Sequence, residues 1–187
     1  MRRTLNEEAT SRSARALRFR AATPDDVDAL LALVESAYRG DASRAGWTTE
    51  ADLLDGQRID AQGLAETLGQ ADGRVVLAED ADGLLGCAHV ERHGEHAYFG
   101  MFSVRPTLQG GGIGHALLAE CERIAREEWR SPAMRMTVIS VRDELVAWYE
   151  RRGYRRTGEY KPFPYGDERF GIPKRGDLCF EWLEKAL

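Results

Sequence analysis

Cysteine is scarce in this chain and unpatterned where it occurs. Cys87, Cys121 and Cys179 are isolated, odd in number and flanked by apolar residues. Such a set cannot staple a small secreted domain, so reduced core thiols in a cytoplasmic protein are expected. There is no Cys-x-x-Cys and no His-Glu-x-x-His. Cys87, His89 and Glu91 alternate onto one strand face with His93 beyond, but ligands on one straight strand diverge, so no metal is expected. A Gly-x-Ser-x-Gly elbow is missing too, and with it any reason to expect a serine or cysteine nucleophile. No apolar run approaches the ~20 residues that span a membrane. The first residues, among them Arg2, Arg3, Glu7 and Glu8, are polar and mixed in charge. They lead into no apolar segment of a signal peptide, and their acids argue against a transit peptide. A net charge of −5 disfavours bulk binding to nucleic acid or anionic lipid and leans slightly toward a cationic small partner. A monomer or homodimer is expected, with neither nucleic acid nor membrane as partner.

What is present is ordinary for a globule: 187 residues, 43% hydrophobic and 30% charged, enough for one domain with a full core. Residues 1–16 read as a disordered tail, and 17–187 as a single domain without internal repeats. Leu17 to Arg20 alternates as a strand. Thr23-Pro24-Asp25-Asp26 starts a helix with Val27, Leu30, Leu31, Val34 and Tyr38 on one face, closed by Gly40. Asp60 caps a further helix carrying Leu64 and Leu68. Turns at Ala71-Asp72-Gly73, Asp80 to Gly83 and His93-Gly94 separate three strands, 74–78, 84–91 and 97–104. A helix runs on from Ile113, then a strand over 134–139, a helix capped by Asp143 and closed by Gly153, and a strand over 154–160. Residues 161–176 hold three of the six prolines and no apolar period, so a long loop is predicted before a last strand over 177–183. The strands flanking the Ile113 helix should be parallel, as a β–helix–β crossover requires.

The chain is organised around Gln109-Gly110-Gly111-Gly112-Ile113-Gly114. The glycines fall between a buried strand and a helix whose apolar face is Ile113, Leu117, Leu118, Cys121 and Ile124. Glycine there admits backbone angles closed to other residues and lets a ligand approach the main chain. The unpaired N–H groups of the helix's first turn and the positive end of its dipole make an anion site suited to phosphate. His115 and Ala116 come after the last glycine where a Walker loop needs lysine and Ser/Thr. The third glycine of a dinucleotide fingerprint would fall on His115 or Leu117. The spacing that fits is Gln-x-x-Gly-x-Gly, as Gln109, Gly112 and Gly114, which resembles the coenzyme A pyrophosphate loop of the GCN5-related N-acetyltransferase (GNAT) superfamily. The element order over 17–187 is similar to that family's, and Tyr149-Glu150-Arg151-Arg152-Gly153-Tyr154 resembles the Tyr-Glu-x-x-Gly-Phe ending of its late helix.

The resemblance implies a mixed α/β (α+β) fold, an antiparallel meander followed by a parallel βαβ unit with a splayed central strand pair. It implies acetyl-CoA as co-substrate, held by the backbone of Phe102, Ser103 and Val104 and by Gln109, Gly110, Gly111, Gly112, Ile113, Gly114 and His115. The activity implied is transfer of acetyl to a primary amine on a small molecule, a peptide N-terminus or a lysine. Tyr149 would be the general acid to the departing thiolate; the plain alternative for it is a core tyrosine. The family's asparagine two turns before that tyrosine has no counterpart, because Arg142 stands there, to meet a phosphate or be solvated. The family's strand glutamate is replaced by Tyr98. That leaves Glu91 on the neighbouring strand, or an ordered water relay, as the base. For the acceptor, the 161–176 loop with Tyr165, Asp167 and Glu168 is expected beside Trp47 and Tyr98, the two carboxylates orienting a cationic group. Trp47 reads equally as a core plug. A non-catalytic acyl-CoA-binding module with the same fold is the alternative function.

Overall fold

The computed structural model describes residues 16–187; the tail expected over 1–16 lies outside them apart from Ala16. The chain runs β1 (Arg18–Ala21), α1 (Val27–Tyr38), α2 (Gly40–Ser43), β2 (Leu54–Asp55), α3 (Ala61–Leu68), β3 (Gly73–Asp80), β4 (Gly83–His93), β5 (His96–Val104), α4 (Ile113–Arg123), β6 (Ala133–Ile139), α5 (Asp143–Glu150), β7 (Arg155–Pro162), β8 (Ile172–Pro173) and β9 (Cys179–Ala186). Seven strands form one mixed sheet in the order β1-β3-β4-β5-β6-β9-β7. Among the described residues its only parallel contact is β5 with β6.

Both faces of the sheet are covered, which is why its central strands read as nearly continuous apolar runs. On one face Val75, Leu77 and Cys87 pack under α1 and α3 with Leu30, Val34 and Leu64. On the other Val76, Ala78, Ala88 and Phe99 pack under α4 and α5 with Leu117, Leu118, Val146 and Tyr149. α3 starts where its cap predicts, the Asp60 carboxylate accepting from the Gly63 N–H at 2.7 Å.

Two local features open the middle of the sheet. β5 and β6 pair only at Ala97–Met134 and Tyr98–Arg135, after which the strands part. β5 also carries a bulge. Cys87 pairs with Ser103 and His89 with Gly100, so Met101 and Phe102 together face Ala88. Met101 takes φ 48°, a left-handed conformation uncommon for a side-chain-bearing residue. A bulge bends its strand and re-aims the residues after it. Here it leaves the β6-facing backbone of residues 102–104 without a strand partner.

Three expectations need correction. Asp143 is the first helical residue of α5, with Arg142 at the cap position. β9 lies between β6 and β7 and extends to Ala186. The 161–176 segment is not structureless. β7 continues to Pro162, residues Glu168–Phe170 form a 3-10 turn, and β8 pairs antiparallel with β2. Two-residue strands are too short to show alternation in sequence. They are tied down here by Lys174, whose ammonium reaches the Ala51 carbonyl and the Asp55 carboxylate at 2.8 and 2.9 Å.

Candidate active site

Two chambers that share a wall lie where β5 and β6 part. The first, about 530 Å³, is bounded by the glycine turn, β5 and α5. The second, about 290 Å³, is bounded by β5, β6, residues Arg39, Glu50, Leu54 and Arg58, and the 161–170 segment. Tyr38, Phe102, Arg142, Leu145 and Tyr149 border both.

At the first chamber Gly110 and Gly112 have φ of 83° and 88° and no atom within 4 Å of where a Cβ would stand. A Cβ on Gly114 would meet the Phe102 ring at 3.1 Å. The turn is therefore held open and close to β5 at once. Ala116 N–H bonds the Gly112 carbonyl, which leaves the N–H groups of Ile113, Gly114 and His115 as the unpaired first turn of α4. Around this donor set stand His115, Arg142, Arg151 and Arg152, and no carboxylate among the described residues lines the chamber. Arg152 lies over the Trp148 ring at 3.5 Å, and its Nε is buried without a partner. Fixed donors, flanking cations and a glycine-lined approach fit the phosphates of coenzyme A.

Gln109 braces the site. Its Nε2 donates to the Val104 carbonyl at 3.3 Å, and its Oε1 accepts from the Trp47 N–H at 3.1 Å. A Cβ on Gly46 would collide with that amide. Trp47 thus lies in the wall of the first chamber, stacked on Trp148 with ring centres 6.3 Å apart, rather than in the second. Ser103 is buried, its hydroxyl turned to the Met101 carbonyl, and Ile113 points into the core. On β5 the Phe102 carbonyl accepts from the Tyr38 hydroxyl at 3.0 Å.

Tyr149 is 4% exposed and packs against Phe102, Trp148 and Tyr154. Burial pushes its phenol well above the ordinary value of 10, so the proton stays on. The Tyr38 phenol is raised by the same cause.

The second chamber is bordered by a buried ion cluster. Glu50 accepts from Arg39 through Oε2 and from Arg142 Nη1 through Oε1 at 2.9 Å. Arg142 Nη2 continues to the Thr48 hydroxyl at 2.7 Å. Each of the three charged residues is 7% exposed. Tyr98 borders this chamber, its hydroxyl 3.3 Å from that of Thr137. Of the expected acceptor loop, Lys161, Phe163 and Phe170 border it. Tyr165, Asp167 and Glu168 do not. The Tyr165 hydroxyl is occupied by the Arg175 carbonyl and the Leu178 N–H, and Asp167 is paired with Arg169. Glu91 borders neither chamber and stands across from Tyr98 on β4. As site residues, Tyr38, Arg39, Glu50 and Arg58 are not marked in the sequence. The only hint is Tyr38 on the last turn of an apolar helix face.

None of the three cysteines is disulfide-bonded, and burial pushes the Cys87 thiol up to about 12. Among the described residues no three His, Cys, Asp or Glu side chains converge on a common point, and no helix is long and apolar enough to cross a membrane.

Comparison with known proteins bears on the whole arrangement. No curated protein sequence matches the chain. Solved structures do. A ribosomal-protein-alanine N-acetyltransferase from Brucella melitensis superposes with a TM-score of 0.66 at 20% identity, over 91% of this chain and 99% of that one. A spermidine N-acetyltransferase chimera from Vibrio cholerae gives 0.66 at 16% identity, over 91% and 95%. The PaiA N-acetyltransferase from Thermoplasma acidophilum, in complex with coenzyme A, gives 0.66 at 14% identity, over 92% and 99%. At such identities the likeness establishes the fold. The family model described as the acetyltransferase (GNAT) domain matches residues 43–163, a span that includes Glu50 and Arg142, the glycine turn and Tyr149: the chain belongs to the GNAT acetyltransferase family.

Proposed function

We propose that the protein transfers acetyl from acetyl-CoA directly to a primary amine, with the cofactor in the glycine-lined chamber and the amine in the chamber beyond Tyr149. The observation that carries this reading is the shared wall. A buried, protonated phenol stands in the wall that an anion-binding chamber shares with a second, smaller one. A single-substrate binding protein has no use for two chambers meeting at a proton donor.

Bound there, acetyl-CoA supplies an acetyl thioester. The transfer forms a C–N bond and breaks a C–S bond, so one proton must leave the amine and one must reach the sulfur. The turn N–H groups of Ile113 to His115, with Arg151 and Arg152, hold phosphate. The β6-facing backbone of Phe102 to Val104, which has no strand partner, offers amide pairing along β5, with the Phe102 and Val104 carbonyls already accepting from Tyr38 and Gln109. The Tyr149 hydroxyl donates a hydrogen bond to the departing sulfur, and the proton the amine loses balances the one the sulfur gains. A thiol of ordinary pKa near 8.5 is the stronger acid of the two, so hydrogen bonding is the larger part of that contribution. Glu50 has both oxygens engaged by arginine and Glu91 borders neither chamber, which leaves a water relay to accept the amine proton.

One observation favours a second reading, a non-catalytic acyl-CoA-binding module: no unengaged carboxylate borders the acceptor chamber among the described residues. The two readings part in a simple test. Acetyl-CoA at a hundredfold excess over its dissociation constant should stabilise the fold by about 2.7 kcal/mol, read as a melting shift. A panel of amines should then release free thiol. A shift by ATP or NAD but not by acetyl-CoA refutes the cofactor assignment. A shift by acetyl-CoA with no thiol released by any amine supports the binding module.

A further inference from the structure

We infer that the acceptor chamber takes a small amine that carries an oxyanion on the same molecule, as an α-amino acid does, rather than a polycation. The inference rests on the acetyl-transfer reading above and specifies its substrate.

The chain as a whole has a net charge of −5, yet this chamber has the opposite sign. Arg39, Arg58, Arg142 and Lys161 border it against one carboxylate, Glu50. Glu50 is shared between two guanidinium groups, so the buried cluster keeps an uncompensated positive charge. Arg39 and Arg142 are both more than nine-tenths buried, and each has an Nε with no hydrogen-bond partner. Charge taken out of water without a counterion is costly, and proteins retain it where something supplies the counterion. Arg58 lies over the Tyr38 ring at 5.0 Å. Neither Arg58 nor Lys161 forms an ion pair within the described residues, which leaves both available to a ligand oxyanion. Guanidinium groups suit such a ligand because their donors match the two oxygens of a carboxylate.

Size and apolar surface agree. At about 290 Å³ the chamber is at the small end of ligand sites, and Phe163, Phe170 and Phe180 give it an apolar side. The same cations also disfavour the protonated amine, since like charge lowers the pKa of an ammonium group. The ammonium group of a free amino acid is held by its own carboxylate above the roughly 7.7–8.0 of a peptide α-amine and below the roughly 10.4 of lysine, so the arginines must both pair that carboxylate and favour the neutral amine. Asp167 and Glu168, expected to orient a cationic acceptor, lie outside the chamber, so the charge that faces the amine is that of the arginines.

The experiment is matched-pair kinetics with acetyl-CoA, tracking thiol release. The acceptors are amino acids of graded size, the same amino acids as carboxamides and methyl esters, an aminoalkyl phosphonate and spermidine. The expected result is a kcat/KM for the acid at least tenfold above its amide and ester, with spermidine last; the phosphonate arm tells whether carboxylate geometry is required. Arg58→Gln and Lys161→Gln, outside the buried cluster, should raise KM for the acid about tenfold, leave KM for the amide unchanged and hold kcat. Equal rates for acid and amide, a preference for spermidine, or an equal loss on both substrates in Arg58→Gln would overturn the inference. If no acceptor releases thiol, melting titrations decide. A shift by acetyl-CoA without any further shift by an anionic amine in the presence of coenzyme A overturns this inference and leaves the cofactor chamber standing. No shift by acetyl-CoA overturns the cofactor assignment itself.

Discussion

Replacing Gly114 with alanine separates two reasons for a glycine at the start of α4. The residue is helical, so alanine gains up to about 1 kcal/mol of intrinsic helix propensity over glycine. Against this, the new Cβ meets the Phe102 ring at 3.1 Å and Val104 Cγ2 at 3.6 Å. The ring must give by a few tenths of an ångström, and it is only partly buried, so it can. The two effects oppose, and net stability should change by less than about 1 kcal/mol. Affinity should behave otherwise. Gly114 lines the first chamber beside the unpaired N–H groups of the turn. Losing one charge-assisted hydrogen bond there is worth about 1.5–3 kcal/mol, or roughly ten- to hundredfold in dissociation constant. Gly112→Ala is the contrasting variant. Its φ of 88° strains any side chain by about 1–2 kcal/mol, while nothing lies within 4 Å of the added carbon. It should therefore lose stability. Urea denaturation gives the first quantity for each variant, and an acetyl-CoA melting titration gives the second. A Gly114→Ala protein of unchanged stability that binds acetyl-CoA as tightly as wild type would refute the argument and reduce Gly114 to a helix–strand packing residue.

Tyr149→Phe should keep the fold, because the ring still fills its place among Phe102, Trp148 and Tyr154. It should lower kcat about a hundredfold, the low end for general acid assistance; unchanged single-turnover rates would make Tyr149 a packing residue. Burial raises the phenol's pKa, so its proton is retained as pH rises through 10. A stopped-flow pH profile of wild type should accordingly show no loss of rate up to that pH, and a falling limb between about 8 and 9.5 that vanishes in Tyr149→Phe would contradict the assigned direction. Glu50→Gln leaves two buried guanidinium groups without their shared anion and should destabilise the fold by about 3–5 kcal/mol, measured by denaturant midpoint. A loss under about 1 kcal/mol would mean that water already reaches the cluster.

Much of this fold could be read from the chain because its signals are local. Asp60 two turns before Leu68, the Asp-Gly turns around β3, and the glycine run between an apolar strand and an amphipathic helix each declare themselves within about ten residues. The β2–β8 pair could not be read, since two residues show no period. Nor could the place of β9 between β6 and β7, which depends on which strand edges remain open once the rest of the sheet has formed. The Met101 bulge left no mark either. A methionine in an apolar strand looks like any other core residue, yet this one turns the backbone after it toward the gap.

The acceptor side was illegible for a different reason. Arg142 stands 92 residues from Glu50, and its meeting with Glu50 and Arg39 requires the α1–α2 junction, the loop after α2 and the cap of α5 to be brought together by the sheet. Net charge gave no help, because its sign differs from that of the side chains lining the second chamber. Exposed charges are screened over about 8 Å at physiological ionic strength, so carboxylates spread over a surface of 10944 Å² contribute little inside one chamber. Buried guanidinium groups a few ångströms from a ligand are screened far less. The sign that a substrate meets is therefore set by the few residues whose solvent has been removed. In this chain those residues are Arg39 and Arg142 against the single Glu50.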